Sequence, residues 1–295
     1  MRALIAILAA AVIGAGCASL EKPLAKGALI WEPIGKLCPN GEMGNGVHWT
    51  GPVAEGRIMN MLSDGMPKGS FDDKRNTLDK SNSSFVMLIA CNSGDGQYAG
   101  YNIYQNNDVA GGQVDKGKVK RWREKIWKLR AEGRRVGICF FTDDDRLRWN
   151  RIDPDRQIRD VVDAFDDQVC AYMLAIEPAD SGWSAAYVRD RIAYAKTRTK
   201  HPVGAHDHSG SVNLIANSGA DFAAVQCWHP KDVVRKSAAD LEHSLNSFRA
   251  RLPAGMDINA FEWGIWSPEL AGHIKEMHKA VERSPAKWSG SSGNK

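Results

Sequence analysis

The chain has 295 residues, a formal net charge of +4, 43% apolar residues and 25% charged residues. This composition belongs to a globular protein and excludes a disordered chain, and the length suffices for one large α/β domain or two small ones. The charge is too weak and too dispersed for a nucleic-acid partner. Its densest run, "KGKVKRWREKIWKLR" over 116–130, is interleaved with apolar residues at helical spacing and reads as the solvated face of a helix.

The N-terminus, "MRALIAILAAAVIGAGCASL", places Arg2 before an apolar run that ends in small residues. It is too short for a membrane span and reads as an export signal over 1–16. The Gly14-Ala15-Gly16-Cys17 ending resembles the bacterial lipobox, with Gly14 where that motif usually has a larger aliphatic residue. The resemblance implies lipidation of Cys17, membrane attachment through that lipid, and a periplasmic or cell-surface location. Five cysteines remain: Cys38, Cys91, Cys139, Cys170 and Cys227. Their spacings match no zinc pattern, and the last four lie in or beside apolar runs. Buried thiols with at most one disulfide are expected.

After a polar linker over 17–27, β-rich runs alternate with helical patterns. "ALIWEP" (28–33) is the first strand candidate. Residues 35–83 are rich in Gly, Asn and Pro, with one helix near 53–63. "SFVMLIACN" (84–92) follows, and a further strand around 98–105 is a possibility the pattern leaves open. The spacing Val119, Trp122, Ile126, Leu129 predicts a helix over 116–132, ended by Gly133. Then come "RVGICFFTDDD" (135–145) and a helix over 154–166, capped by Asp153 with Pro154 in first position. "CAYMLAIEP" (170–178) precedes a helix from Ser184 to about Thr199. "PVGAHDH" (202–208), "FAAVQCWHP" (222–230), a helix near 238–250, "DINAFEWG" (257–264) and a helix from Ser267 complete the pattern. The tail over 287–295 is low-complexity and expected to be disordered.

Apolar strands alternating with helices predict parallel βαβ units. Seven such strands point to an α/β fold of the (β/α)8 TIM-barrel type over 28–286, with an irregular or missing strand. A doubly wound sheet is the competitor, but the dinucleotide fingerprint is missing: "GDGQYAG" (94–100) has the wrong spacing. No organic cofactor is expected.

In such a barrel the chemistry gathers at the C-terminal ends of the strands. Those ends read Glu32, Asn92, Asp143 to Asp145, Glu177, His206-Asp207-His208, Trp228-His229 and Glu262. Glu177 and Glu262 each end an apolar run and have aromatics close behind, Trp183 and Trp263 with Trp266. Two carboxylates across one barrel mouth suit glycoside hydrolysis, in which one donates a proton and the other attacks or activates water. "IEP" (176–178) and "FEWG" (261–264) resemble the strand-four and strand-seven motifs of the clan of retaining (β/α)8 glycoside hydrolases. The resemblance implies that Glu177 is the acid/base and Glu262 the nucleophile. Ile176 stands where the clan usually has Asn.

Glu32, Asp143, Trp183, His206, Asp207, His208, Trp228, His229, Trp263 and Trp266 are the candidate contacts to a carbohydrate substrate. Two other readings compete. A barrel without catalysis would be a carbohydrate-binding or interaction lipoprotein, as the Ile176 departure suggests. A metal-dependent hydrolase or polysaccharide lyase would use His206 and His208, which alternation sends to one side of a strand, with His229 or Asp143 as a third ligand. A serine hydrolase is disfavoured, because no Gly-x-Ser-x-Gly elbow follows a strand.

Overall fold

A computed structural model describes residues 85–89, 102–108, 110–131, 135–141, 153–208, 211–228, 230–260 and 270–286. These build an α/β fold in which a six-stranded, all-parallel sheet curls into a half-barrel. The strands are β1 (Phe85–Ile89), β2 (Arg135–Phe141), β3 (Ala171–Ala175), β4 (Val203–His208), β5 (Phe222–Gln226) and β6 (Asp257–Ala260). Each pairs with its sequence neighbour, in the order β1-β2-β3-β4-β5-β6. A doubly wound sheet reverses its strand order part-way; this one does not. Every predicted strand from residue 84 onward contains an observed one. The 28–33 strand and the 53–63 helix lie outside the described residues, as do the 1–16 signal, the 17–27 linker and the 287–295 tail.

Among the described residues, six α-helices follow the six strands in turn. They are α1 (Lys116–Ala131), α2 (Pro154–Phe165), α3 (Ala185–Arg198), α4 (Val212–Ala216), α5 (Ala238–Arg251) and α6 (Ala271–Arg283). Asp153 accepts from the N–H groups of Asp155 and Arg156, and Pro154 opens α2 at no hydrogen-bond cost. The α2 stripe Ile158, Val161, Val162 and Phe165 is buried, and Phe165 stacks on Trp122 of α1 at 5.5 Å. Ser184 caps α3 through Tyr187 N–H. Ser237 and Asp240 form a reciprocal capping box on α5, whose Leu241, Leu245 and Phe248 are buried.

Two features differ from the sequence reading. The short α4 and a 3-10 turn at Pro230–Arg235 have no counterpart in the sequence pattern, since neither is long enough to show a period. The segment near 98–105 does not add a strand within its described part. Tyr104 instead makes an isolated antiparallel bridge with Val114. Its N–H bonds Asn102 Oδ1 at 2.9 Å and its carbonyl accepts from Lys118 Nζ at 2.7 Å. Both backbone groups are thus used, the first within the loop and the second by the first turn of α1.

Alternation along the strands separates two buried faces. Leu88, Ile138, Tyr172, Leu174, Val203, Ala205, Ala223, Val225, Ile258 and Ala260 join the main core together with helix residues. The opposite, inner face carries Cys139, Met173, Gly204, His206, Phe222, Ala224 and Asn259, also buried. A Cβ on Gly204 would come within 2.1 Å of the Phe222 ring, so only glycine lets that ring lie across β4. The described cysteines, Cys139, Cys170 and Cys227, are buried: Cys139 Sγ donates to the Phe141 carbonyl, Cys170 Sγ to the Val136 carbonyl, and burial pushes the Cys227 thiol up to about 12. Cys17, Cys38 and Cys91 lie outside the described residues.

Candidate active site at the C-terminal edge of the sheet

Glu177 follows β3 by two residues. Ile176 N–H still bonds the Phe141 carbonyl of β2 at 3.1 Å, so the sheet holds the chain up to the glutamate. Then the backbone breaks away sharply. Glu177 has φ 39°, in the left-handed region that a β-carbon disfavours. Among the described residues only one other non-glycine shares that region, Asn106, a residue type that tolerates it. A chain of tight turns follows: Asp180 N–H to Glu177 O at 3.1 Å, Gly182 N–H to Ala179 O at 2.9 Å, and Trp183 N–H to Pro178 O at 3.0 Å. Gly182 at φ 78° supplies the second left-handed step.

The end of β4 braces this turn. Asp207 is fully buried, and its Oδ2 accepts from Ala179 N–H at 3.2 Å. Its Oδ1 accepts from His208 N–H at 2.8 Å. Burial pushes the Asp207 carboxyl up to about 6 against the opposing pull of those two hydrogen bonds and of His208. His208 emerges beside it, with Nε2 3.0 Å from Asp180 Oδ1 and 3.8 Å from Asp207 Oδ1. Burial works against the charged imidazole. The Asp180 hydrogen bond and the charges of Asp207, Asp180 and Glu177 outweigh it, and the pKa of His208 stands raised. His206, on the same face two residues deeper, is fully buried with Nδ1 3.0 Å from the Ala224 carbonyl. Burial lowers its pKa to about 4, so it is neutral at neutral pH.

The aromatic side of the edge is built by Trp183. It packs edge-on to Phe141, at the end of β2, with centroids 5.7 Å apart, and to Tyr187 of α3 at 4.7 Å. Trp228 lies two residues beyond β5, half-buried, with Lys236 Nζ 5.5 Å from its ring centroid.

The structure therefore gathers Glu177, Trp183, Asp207, His208 and Trp228 at one edge of the sheet, with His206 just beneath. Glu32, Asp143, His229, Glu262, Trp263 and Trp266 lie outside the described residues. Asp207 faces the turn and not the barrel interior: alternation sets it opposite His206 and His208. Among the described residues no three His, Cys, Asp or Glu side chains converge to hold a metal ion. Sequence reasoning passed over Asn259 on β6 and Gln226 on β5, both buried. The signal was a polar residue inside an otherwise apolar strand, on the inward phase of the alternation.

No protein-family model matches the chain, and no curated protein matches it by sequence. Solved structures do match by shape. An endo-glycoceramidase II from Rhodococcus sp. superposes at TM-score 0.54 and 13% identity, over 84% of this chain and 73% of that one. An endo-β-1,4-mannanase from Thermotoga petrophila gives 0.57 at 12% identity, over 83% and 67%. Another β-1,4-mannanase gives 0.50 at 12% identity, over 84% and 86%. At these identities the likeness establishes the fold: a curved parallel sheet with flanking helices, of the (β/α) type those hydrolases use.

Proposed function

We propose that the protein is a glycoside hydrolase that cleaves glycosidic bonds of an oligo- or polysaccharide with retention, using Glu177 as acid/base and Glu262 as nucleophile. The observation that carries this reading is the left-handed Glu177 at the C-terminal edge of the sheet, fixed by the β3 ladder before it and the Asp207 clamp after it. A strained, over-determined backbone at the end of a parallel strand is a hallmark of a side chain placed for function. The glycosidase neighbours support the substrate class, and the part-exposed Trp183, backed by the buried Phe141, offers an aromatic surface for a sugar face.

The assignment has a kinetic signature. The acid is needed most when the leaving group is poor. Glu177→Gln should lose about 10²- to 10⁴-fold on native glycans and far less on aryl glycosides with activated leaving groups. Equal losses on both would remove Glu177 from the acid role.

A second reading rests on Ile176. It is buried, with its N–H bonded to Phe141, where the resembling hydrolases have a sugar-contacting Asn. A carbohydrate-binding lipoprotein without turnover follows if glycan binds, no product forms, and Glu262→Gln leaves affinity unchanged. Export and lipidation at Cys17 belong to either reading. Among the described residues no helix is long and apolar enough to cross a membrane. Cys17→Ser should move the protein from the membrane fraction to the soluble fraction.

A further inference from the structure

The inner face of the sheet is graded from bottom to top. Met173 pairs with Gly204, and Gly204 with Phe222, whose ring lies over the glycine. These apolar groups make a floor. Two residues further along each strand, about 7 Å higher, the register aligns His206, Ala224 and Asn259. Another two residues up, at the edge, His208 pairs with Gln226. Glu177 is close enough to His208 for its charge to raise that imidazole's pKa. The middle layer is thus polar at its sides and small at its centre, and it sits directly under the candidate catalytic edge.

Two of these polar groups are unmet. Asn259 is 0% exposed, yet neither its Oδ1 nor its Nδ2 has a hydrogen-bond partner. Gln226 is 4% exposed and its Oε1 has none either. Native folds rarely leave buried amides unsatisfied, and each exception calls for a cause, such as strain, a functional role or a bound water or ion. Asn259 offers one acceptor and two donors at one point, the complement of a hydroxyl that both donates and accepts. No inward Lys or Arg accompanies it in this layer among the described residues, and His206 is neutral. His208, in register with Gln226 above it, is already paired with Asp180 at 3.0 Å, so among the described residues no unbalanced cation is left to meet a carboxylate.

We propose that Asn259 and Gln226 form a hydroxyl-reading well beneath the catalytic edge, and that it selects a neutral sugar over a uronic acid. This rests on the glycosidase or glycan-binding reading above. It adds the class of sugar and two residues that set it. Ordered water fills the well when sugar is absent, and a sugar hydroxyl displaces it on binding.

The test uses the full-length protein and three probes: a neutral gluco-tetrasaccharide, a neutral manno-tetrasaccharide and a tetragalacturonide. Affinity is measured by calorimetry on wild type, Asn259→Leu and Asn259→Ala, with a thermal melt of each. Wild type should bind a neutral probe and not the uronide. Asn259→Leu should weaken the neutral probe by about 10- to 100-fold while its Tm holds or rises, because a buried amide with no protein partner is removed. Asn259→Ala keeps the test open if the leucine does not fit. Preference for the uronide overturns the proposal. So does unchanged neutral-sugar affinity in both variants, which leaves the glycosidase reading standing. Wild type that binds none of the probes removes the glycan reading and this inference together.

Discussion

The Asp207 carboxylate of β4 accepts from the Ala179 N–H across 3.2 Å, which ties the end of one strand to the turn that carries Glu177 after the previous one. Its other oxygen holds the His208 N–H at 2.8 Å. One buried side chain therefore fixes both Glu177 and His208. Asp207→Ala orphans two backbone donors, at about 1–3 kcal/mol for each buried group left unmet. It should also lower kcat by about 10²-fold through a misplaced acid, with KM changed far less. Asp207→Asn, which keeps one acceptor, should recover part of the rate.

Asp207 and His206 titrate in opposite senses. The Asp207 carboxyl is raised to about 6 from 3.8. Its linkage favours the fold below pH 3.8, and that contribution is lost as pH rises through about 6. The buried His206 is depressed to about 4 from 6.5. Its linkage favours the fold above pH 6.5 and is lost as pH falls through about 4. The two slopes overlap and offset each other. Removing one should expose the other: Asp207→Asn should lose stability as pH falls from 6.5 to 4 more steeply than wild type. Denaturant unfolding at closely spaced pH values checks this, and parallel curves for the two proteins would refute it.

The left-handed backbone of Glu177 predicts an inverted glycine effect. In ordinary positions glycine is worse than alanine by roughly 0.5–1 kcal/mol. At φ 39° the β-carbon is the liability, so Glu177→Gly should be more stable than Glu177→Ala by about 1 kcal/mol. Both variants should be inactive on native glycans. Paired thermal melts give the sign.

Gly204 makes a structural prediction. Gly204→Ala places a methyl 2.1 Å from the Phe222 ring and should cost about 3 kcal/mol or more. Phe222→Leu added to it should recover part of that loss, since the clash and the ring go together. Additive losses in the double-mutant cycle would place the clash elsewhere.

Much of this fold was legible in the sequence because its strands are buried on both faces and its helices carry explicit caps. Asp153 with Pro154, and Ser184, mark α2 and α3 to within a residue. Glu177 stood out because an apolar run ended on a charge. The five-residue α4 and the Tyr104 bridge were not readable, since each is set by tertiary contacts and not by period. The sequence pattern groups Asp207 with its histidine neighbours as a substrate contact. Strand alternation could have separated it from them, but its link to Ala179 spans 28 residues and has no local signature. Asn259 was hidden for a related reason: one polar residue in a short strand is conspicuous only once the register puts it beside His206 and Ala224.

The most direct measurement is a glycan hydrolysis screen of the full-length protein beside Glu177→Gln and Glu262→Gln. The account predicts turnover of at least one neutral glycan by wild type, with a loss of about 10²-fold or more in each variant. Wild-type turnover that both variants retain would contradict it.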